Sequence, residues 1–380
     1  MKIGILTLPL HTNYGGILQA YALQTVLQQL GHEVFVIDQD KELNKSFLQQ
    51  ILSFGKYCAK RFLLGKNERF HSRREQRKSF LEQKERERYT RDFINKHINI
   101  LLVKNLTKDV PKNLDAIVVG SDQIWRHGYF TGAYHCGIEN AFLKFLKNSS
   151  TKRIAYAASF GTDEWEYSKR ETFECSKLLK KFIAVSVREK SAVSLCKDML
   201  GFPNVTHTLD PTMLLEKEKY IRLVEQTRTP KSPGNLLCYI LDHTDEKQWL
   251  VEKIAQDRKL KPFNVNSKIE DPSAPQQERI QPPLEQWLRG FMDAEFVVTD
   301  SFHACVFSII FGKPFVVVGN KKRGMARFES LLSLFVLEKN LIYDTNKYDS
   351  TFTYCVNTKA QFVLAEMTKM SFLFLSHSLK

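Results

Sequence analysis

Several features that define particular protein classes are missing from this 380-residue sequence. The longest apolar region, 305–319, is interrupted by Gly312-Lys313-Pro314, so no stretch approaches the roughly 20 residues that cross a bilayer. No apolar stretch of secretory length follows Met1, and we therefore expect a cytoplasmic protein. The seven cysteines are widely spread and form no Cys-x-x-Cys pair, which predicts reduced thiols and no metal site.

Basic residues are concentrated in one part of the chain. Between Lys56 and Arg91 there are thirteen Lys or Arg and five Glu, so this segment carries about +8 of the net charge of +14. It lacks aromatic residues at the spacing that stacks nucleic-acid bases, and no nucleic-acid-reading motif accompanies it. We therefore expect no nucleic-acid partner.

The hydrophobic pattern predicts an α/β protein with two domains. The chain is 43% hydrophobic, and its 380 residues exceed the roughly 250 to 300 at which one core stops growing. An apolar strand at 2–8, a helix at 17–30 and a strand at 32–38 form a β-α-β unit, whose crossover predicts a parallel sheet. Further strands are predicted at 115–120, 153–159, 182–187, 205–209, 236–241, 262–265, 296–299 and 314–318.

Composition divides the chain into successive parts. The first domain is predicted at 1–216, with a charged helical insertion at about 41–105, where Gly and Pro are scarce. A linker is predicted at 217–235, because Thr229-Pro230-Lys231-Ser232-Pro233-Gly234 breaks the pattern. A second domain follows at 236–355. The amphipathic stretch 356–380 is predicted to be a helix that packs back across both domains.

Polar residues follow six of the predicted strands. Ligands of open α/β sheets collect beyond the carboxyl ends of the strands, so we expect these groups to line the functional site. The groups are Asn13-Tyr14-Gly15-Gly16, Gly120-Ser121-Asp122-Gln123, Ser159-Phe160-Gly161, Arg188-Glu189-Lys190, Asp210-Pro211 and Asp300-Ser301-Phe302-His303.

Three of these groups have both a functional and a structural interpretation. Gly15-Gly16 offers backbone N–H groups to an anion, or only permits a tight turn. Arg188 would meet a carboxylate or phosphate in the cleft, or form a surface ion pair with Glu189 or Glu171. His303 would donate a proton or bind phosphate, or is a hydrogen-bonded structural residue.

The order and spacing of these motifs resemble the bacterial polysaccharide pyruvyl transferases over about residues 1 to 340. The resemblance rests on Asn13-Tyr14-Gly15-Gly16 with Gln19-Ala20, Gly120-Ser121-Asp122-Gln123-Ile124-Trp125, Ser186-Val187-Arg188-Glu189-Lys190-Ser191, Asp210-Pro211-Thr212, and Ser301-Phe302-His303-Ala304 with Phe311-Gly312-Lys313-Pro314. It implies two Rossmann-like domains facing across a cleft, as in GT-B glycosyltransferases. It also implies transfer of pyruvate from phosphoenolpyruvate onto a sugar as a ketal.

The resemblance further implies substrates and roles. Phosphoenolpyruvate would be the donor on the second domain, and a sugar or lipid-linked precursor of a capsule or exopolysaccharide the acceptor on the first, without a cofactor. His303 is the candidate acid or phosphate ligand, and Asp122 the candidate base or anchor of the acceptor hydroxyl. The residues expected to bind substrate are Asn13, Gly15, Gly16, Ser121, Gln123, Ser159, Arg188, Asp210, Ser301, Lys313, Arg323 and Arg327. The alternative is a GT-B glycosyltransferase that uses a nucleotide sugar.

One position departs from the family pattern. Many members have Arg-x-His where this chain has Ser301-Phe302-His303, so the arginine that would hold the donor's anion is missing. The candidates to replace it are Lys313, Lys321, Arg323 and Arg327.

The basic segment 56–91 has two interpretations. If the acceptor is linked to a lipid, the segment would hold the enzyme at an anionic membrane surface. Otherwise it is a solvated, charged helical hairpin, which is the commoner role of such a charge run.

Overall fold

Two parallel β-sheets form the framework of the protein. The computed structural model describes residues 1–39, 73–147, 149–269, 271–320 and 324–380. Its strands are β1 (Lys2–Leu6), β2 (Glu33–Gln39), β3 (Ile100–Val103), β4 (Ala116–Val119), β5 (Lys152–Ala158), β6 (Ala184–Val187), β7 (Thr206–His207), β8 (Leu236–Tyr239), β9 (Pro262–Phe263), β10 (Phe296–Thr299), β11 (Phe315–Val318) and β12 (Leu341–Ile342). The first sheet has the order β3-β2-β1-β4-β5-β6-β7, and the second has the order β12-β11-β10-β8-β9.

Helices connect the strands, and every strand pair is parallel. The helices of the described residues are α1 (Tyr14–Gln29), α2 (Arg73–His97), α3 (His127–Tyr134), α4 (Lys169–Leu179), α5 (Lys190–Asp198), α6 (Lys217–Gln226), α7 (Asp245–Arg258), α8 (Leu284–Asp293), α9 (Phe302–Ile310), α10 (Ala326–Leu334) and α11 (Thr358–Ser378). The predicted fold class, two Rossmann-like α/β domains, is confirmed.

Helix α1 begins earlier than the sequence predicted. Asn13 is its N-cap, and the Asn13 side chain accepts a hydrogen bond from the N–H of Gly16 at 3.2 Å. Gly15 and Gly16 therefore lie in the first turn of the helix and not in a polar turn before it. The cap satisfies one of the amides that a helix start leaves without a partner.

The predicted helical insertion at 41–105 contains a strand. Residues 40–72 lie outside the described residues, and α2 accounts for 73–97. After it, β3 pairs with β2 and extends the first sheet. The strand was not predicted because it is a short apolar run directly after a long charged helix, and periodicity alone does not distinguish such a run from the end of the helix.

The first part of the predicted linker at 217–235 is helix α6. Its apolar positions, Tyr220, Leu223 and Val224, are buried in a core that also contains Trp287 of α8. The ring of Tyr220 meets that of Phe307 of α9 edge to face, with a centroid distance of 4.9 Å. Helix α6 therefore packs with the second domain, because its spacing of three and four residues gives it an apolar face.

Helix α11 joins the two domains. It begins four residues after Tyr354, whose carbonyl accepts a hydrogen bond from the N–H of Phe315 in β11 at 3.0 Å. Its later turns contact the first domain, where Ser371 Oγ accepts the N–H of Leu209 at 3.1 Å and Phe374 packs 6.2 Å from Tyr156.

The apolar core continues across the domain boundary through Tyr14. Its ring lies 6.5 Å from that of Tyr239 and 5.6 Å from that of Trp287, both in the second domain. The Tyr14 hydroxyl donates a hydrogen bond to the carbonyl of Pro282 at 2.7 Å. These contacts hold the start of α1 against the second domain.

Candidate functional site

A cavity of about 260 Å³ lies between the carboxyl ends of the two sheets. The residues expected at the site that line it are Asn13, Gly15, Asp122, Gln123, Ser301, His303 and Arg327. Four others are buried outside this lining: Ser121, Ser159, Arg188 and Asp210. A larger cavity of about 510 Å³ lies beside α2, and none of the six polar groups predicted at strand ends lines it.

Gly15 brings the two domains into direct contact. A Cβ at this position would lie 2.0 Å from Nδ1 of His303, so a residue with a side chain would displace the imidazole. Neither an anion site nor a tight turn explains why residue 15 is glycine. Glycine is needed there because the start of α1 lies close to His303 of the second domain.

The loop after β4 presents Asp122 to the cavity. Gly120 starts this loop with φ +127°, and a Cβ there would lie 2.0 Å from the carbonyl oxygen of Tyr156, so only glycine fits. Ser121 is fully buried and donates a hydrogen bond to the carbonyl of Ala157 at 2.9 Å. Ser121 therefore fixes the loop, while Asp122 lines the cavity.

Asp210 links Arg188 of the first domain to His303 of the second. Arg188 Nη1 donates to Asp210 Oδ2 at 2.6 Å, and His303 Nε2 lies 3.6 Å from the same oxygen. Burial alone would raise the pKa of Asp210, but His303 and Arg188 outweigh it and hold the pKa below its usual value. Asp210 is therefore ionised at neutral pH and places a negative charge beside the imidazole.

Arg188 is paired with two carboxylates of the protein. Its side chain is 2% exposed, and Nη2 lies 3.4 Å from Asp122 Oδ1 in addition to the bond with Asp210. Burial would lower the pKa of Arg188, but Asp210, Asp122 and Glu189 raise it. The sequence predicted a substrate anion, or else Glu189 or Glu171, as the partner. The protein partners are Asp122 and Asp210 in place of Glu189 or Glu171, because the order β4-β5-β6-β7 brings the ends of β4 and β7 near that of β6.

Arg327 is a second buried guanidinium, and it lines the cavity. Its Cζ lies 5.2 Å from the ring centre of Phe302, and Cζ of Arg188 lies 4.5 Å from the same ring centre. Burial and then the like charge of Arg188 lower the pKa of Arg327 to about 10, so it stays protonated at neutral pH. Among the described Lys and Arg residues of the second domain, Arg327 is the one that lines the cavity beside His303.

The loop after β5 is held by Ser159 and Glu189. Ser159 Oγ accepts the N–H of Gly161 at 3.0 Å, and Glu189 Oε1 accepts the N–H groups of Phe160 and Gly161 at 2.9 and 3.2 Å. Both side chains are fully buried and hold this loop, and neither belongs to the cavity lining. Gln123 lines the cavity and accepts a hydrogen bond from Arg126 at 2.9 Å.

Asp300 organises the carboxyl end of the second sheet. Its carboxylate accepts the N–H groups of Leu241 and Asp242 at 2.7 and 3.1 Å and pairs with Lys247 at 2.7 Å. Ser301 then begins α9 as its N-cap residue. This arrangement holds the helix start that carries His303.

One candidate cation, Lys313, lies away from the site. Lys313 precedes β11 at the amino-terminal edge of the second sheet, where its Nζ donates to the carbonyl of Met292 at 3.0 Å. It cannot replace the missing arginine, because the loop after a helix and before a parallel strand lies at the edge away from the cavity. Lys321 and Arg323 lie outside the described residues.

Sequence reasoning missed the aromatic part of the cavity. Tyr239 and Trp287 line it together with Asn266 and Gln281. Tyr239 and Trp287 stand in apolar stretches that predict only core packing, and Asn266 and Gln281 belong to loops without a motif. In the sequence, only their position near the carboxyl ends of the predicted strands of the second domain indicated that they could line the cavity.

Other features of the described residues bear on the class of protein. The cysteines there are free: Cys136, Cys175, Cys196, Cys238, Cys305 and Cys355. Within the same ranges, no group of three or more His, Cys, Asp or Glu is placed to hold a metal ion. No helix in the described part of the chain has both the length and the apolar character that crossing a membrane requires.

Two Rossmann-like domains with a cavity between their sheets define a GT-B-like protein. Sucrose-phosphate synthase from Thermosynechococcus elongatus is similar over 99% of this chain and 98% of its own, with 9% identity and a TM-score of 0.50. UDP-GlcNAc 2-epimerase from Neisseria meningitidis, bound to UDP-GlcNAc, aligns over 97% and 100% with 12% identity and a TM-score of 0.43. The likeness to the synthase concerns the fold alone. No curated protein matches the sequence.

The family model of the polysaccharide pyruvyl transferases matches residues 13–322. The matched range begins at Asn13 and includes Asp122, Arg188, Asp210 and His303. The chain therefore belongs to the polysaccharide pyruvyl transferase family, and the resemblance seen in its motifs is confirmed. Membership in this family identifies a transferase.

Proposed function

We propose that the protein transfers pyruvate from phosphoenolpyruvate to two hydroxyls of a sugar in a surface-polysaccharide precursor, forming a ketal. The observation that carries the proposal is the convergence of Arg327, His303 and Asp122 on one cavity between the sheets. Family membership supports the same reaction class.

Arg327 is the proposed anchor of the donor's anionic groups. Phosphoenolpyruvate carries a carboxylate and a phosphate, and a guanidinium binds either with two parallel hydrogen bonds. Because burial lowers the pKa of Arg327 to about 10, an anion beside it would favour its charged form. Arg188 acts indirectly, since Asp122 and Asp210 already neutralise it.

His303 is the proposed acid and Asp122 the proposed base. A proton from His303 adds to the methylene carbon of the enol, and a sugar hydroxyl attacks the carbon that bears the phosphate. The C–O bond to phosphate then breaks, and a neighbouring hydroxyl closes the ketal. Of the two protons released by the hydroxyls, one returns to His303 and the other leaves with phosphate, with Asp122 as the first acceptor.

Donor specificity is the experiment that tests the proposal. The protein is incubated with phosphoenolpyruvate and a panel of glycans and lipid-linked sugars, and both phosphate release and product mass are followed. Phosphate should appear only with a suitable acceptor, whose mass should rise by one pyruvate ketal. Tight binding of uridine or guanosine diphosphate in calorimetry, with no response to phosphoenolpyruvate, would favour a nucleotide-sugar glycosyltransferase instead.

The basic part of α2 is proposed to hold the enzyme at an anionic membrane when the acceptor is lipid-linked. Arg74, Arg77 and Lys78 are exposed on this helix. Each basic residue near such a surface contributes about 1 kcal/mol, so changing all three to Gln should weaken vesicle binding by about two orders of magnitude.

Vesicle sedimentation with a matched control tests this contact. Exposed Lys169, Lys180 and Lys181, changed to Gln, remove the same charge from another surface and should leave binding nearly intact. Binding should also fall steeply as salt screens the charges. Equal binding to neutral and anionic vesicles would show that the basic helix is only a solvated surface.

A further inference from the structure

One aromatic side chain stands where the cavity opens to solvent. Tyr129 of α3 belongs to the cavity lining, yet the residue is 42% exposed. Tyr239, Trp287 and Phe302 of the same lining are at most 6% exposed, and they pack in the protein interior. Tyr129 therefore lies at the mouth of the cavity, on the side of the first domain, and the proposed donor chemistry gives it no role.

Arg126 holds the ring of Tyr129 in place. Its Cζ lies over the ring, 4.7 Å from the ring centre, which is within the range of a cation–π contact. The guanidinium is itself fixed, because Nη1 donates to Gln123 Oε1 at 2.9 Å and Nε lies 3.6 Å from Glu166 Oε1. Arg126 covers one face of the ring, so the exposed surface of Tyr129 leaves the opposite face accessible to a ligand.

The cavity is too small to enclose a glycan together with the donor. Its volume of about 260 Å³ is below the roughly 300 Å³ at which pockets for drug-sized ligands begin, and the proposed donor at Arg327 occupies part of it. A precursor sugar whose hydroxyl reaches Asp122 must therefore extend past the mouth. Asp122 is followed in the chain by Gln123, which binds Arg126, so the proposed base and the ring of Tyr129 belong to one connected part of the first domain.

We propose that the acceptor sugar stacks on the open face of Tyr129 while one of its hydroxyls reaches Asp122. The face of an aromatic ring carries partial negative charge, so it disfavours the carboxylate and phosphate of the donor and attracts the C–H groups of a sugar ring. The role of this sugar as the acceptor rests on the proposed function, but sugar binding at Tyr129 does not. The proposal keeps the acceptor on the first domain.

Fluorine NMR of the full chain tests the contact without turnover. The protein is labelled with 3-fluorotyrosine, and the Tyr129 signal is assigned by its loss in Tyr129→Phe. The probes are methyl glycosides of galactose, mannose and N-acetylglucosamine, which contain no aromatic group, with inorganic phosphate and uridine diphosphate as comparisons. At least one glycoside should move the Tyr129 signal and leave that of exposed Tyr343 in place. A Tyr129 signal that no glycoside moves, or that uridine diphosphate alone moves, overturns the proposal.

Affinity measurements by saturation-transfer NMR supply the second test. Tyr129→Ala removes the ring from an exposed position, so the protein should still fold while glycoside affinity falls about three- to tenfold. Tyr129→Phe keeps the stacking face and should retain most of the affinity.

Phe173→Ala is the matched control for the loss of the ring. Phe173 is 59% exposed and has Lys177 Nζ over its ring at 3.9 Å, but it lies outside the cavity lining, so this variant should keep the affinity of the wild type. Equal affinities in Tyr129→Ala and Phe173→Ala overturn the proposal. Glycoside binding at Tyr129 without phosphate release from phosphoenolpyruvate would support the sugar contact and contradict only the proposed donor.

Discussion

A methyl group added at Gly15 would collide with the imidazole of His303. The Cβ of Gly15→Ala would lie 2.0 Å from Nδ1 and 2.2 Å from Cγ, whereas ordinary van der Waals contact begins at 3.4 Å. Either the imidazole or the start of α1 must move by roughly 1 Å or more. A displacement of about 1 Å at a reacting group can lower the rate about 100-fold, equivalent to about 2.7 kcal/mol.

The effect on stability should be much smaller than the effect on rate. Overpacking costs about 1 to 3 kcal/mol, but alanine is favoured over glycine in a helix by roughly 0.5 to 1 kcal/mol, which offsets part of it. We therefore expect Gly15→Ala to lower kcat about 100-fold in the phosphate-release assay while Tm falls by only a few degrees.

Gly132→Ala is the matched control for this substitution. Gly132 also lies in a helix, α3, but nothing lies within 4 Å of the added Cβ. This variant should keep both kcat and Tm. A Gly15→Ala enzyme with kcat within twofold of the wild type would refute the reasoning that the position of His303 limits turnover.

Three further predictions concern the buried charges. Arg327→Lys should raise the KM for phosphoenolpyruvate at least tenfold, because an ammonium cannot form two parallel bonds, and an unchanged KM would exclude Arg327 as the anchor. Arg188→Ala should destabilise the protein by about 3 to 5 kcal/mol, because Asp122 and Asp210 would lose their buried partner, and an unchanged denaturation midpoint would contradict this. The pKa of Asp210 is lower in the folded than in the unfolded state, so its stabilisation is complete above the unfolded value of about 3.9 and disappears as pH falls through the folded value. Asp210→Asn should therefore flatten the acid limb of a plot of Tm against pH, and equal slopes would refute it.

The sequence predicted the fold where strands are apolar and well separated. Strand β10 was predicted over 296–299, as observed, because four buried residues stand between polar breaks. Strand β3 was missed because it follows the charged helix α2 within the segment 41–105, and β12 was missed because it has only two residues. Helix α6 was missed because the Pro- and Gly-rich stretch that follows it dominated the interpretation of 217–235.

The sequence could predict which residues lie near the site, but not which of them form ion pairs with one another. Residues at strand ends meet in any parallel sheet, so Asp122 and Arg188 could be placed at the carboxyl edge of the first sheet and His303 at that of the second. That Asp122 and Asp210 neutralise Arg188 depends on strand order, which adjacency in the chain does not show. That Trp287 belongs to the cavity lining depends on how α8 packs. An apolar residue on a predicted helix does not reveal such a position.

Helix α11 also limits how the two domains can move. With 21 residues it is about 30 Å long, and a continuous helix is stiff along its axis. Because it starts beside β11 and ends on Leu209 and Tyr156, it acts as a strut of fixed length between the domains. Sliding of one domain past the other along this strut would break its contacts with Leu209 and Tyr156. Helix α11 and the Tyr14 contacts therefore fix the spacing of the two sheets on which the width of the cavity depends.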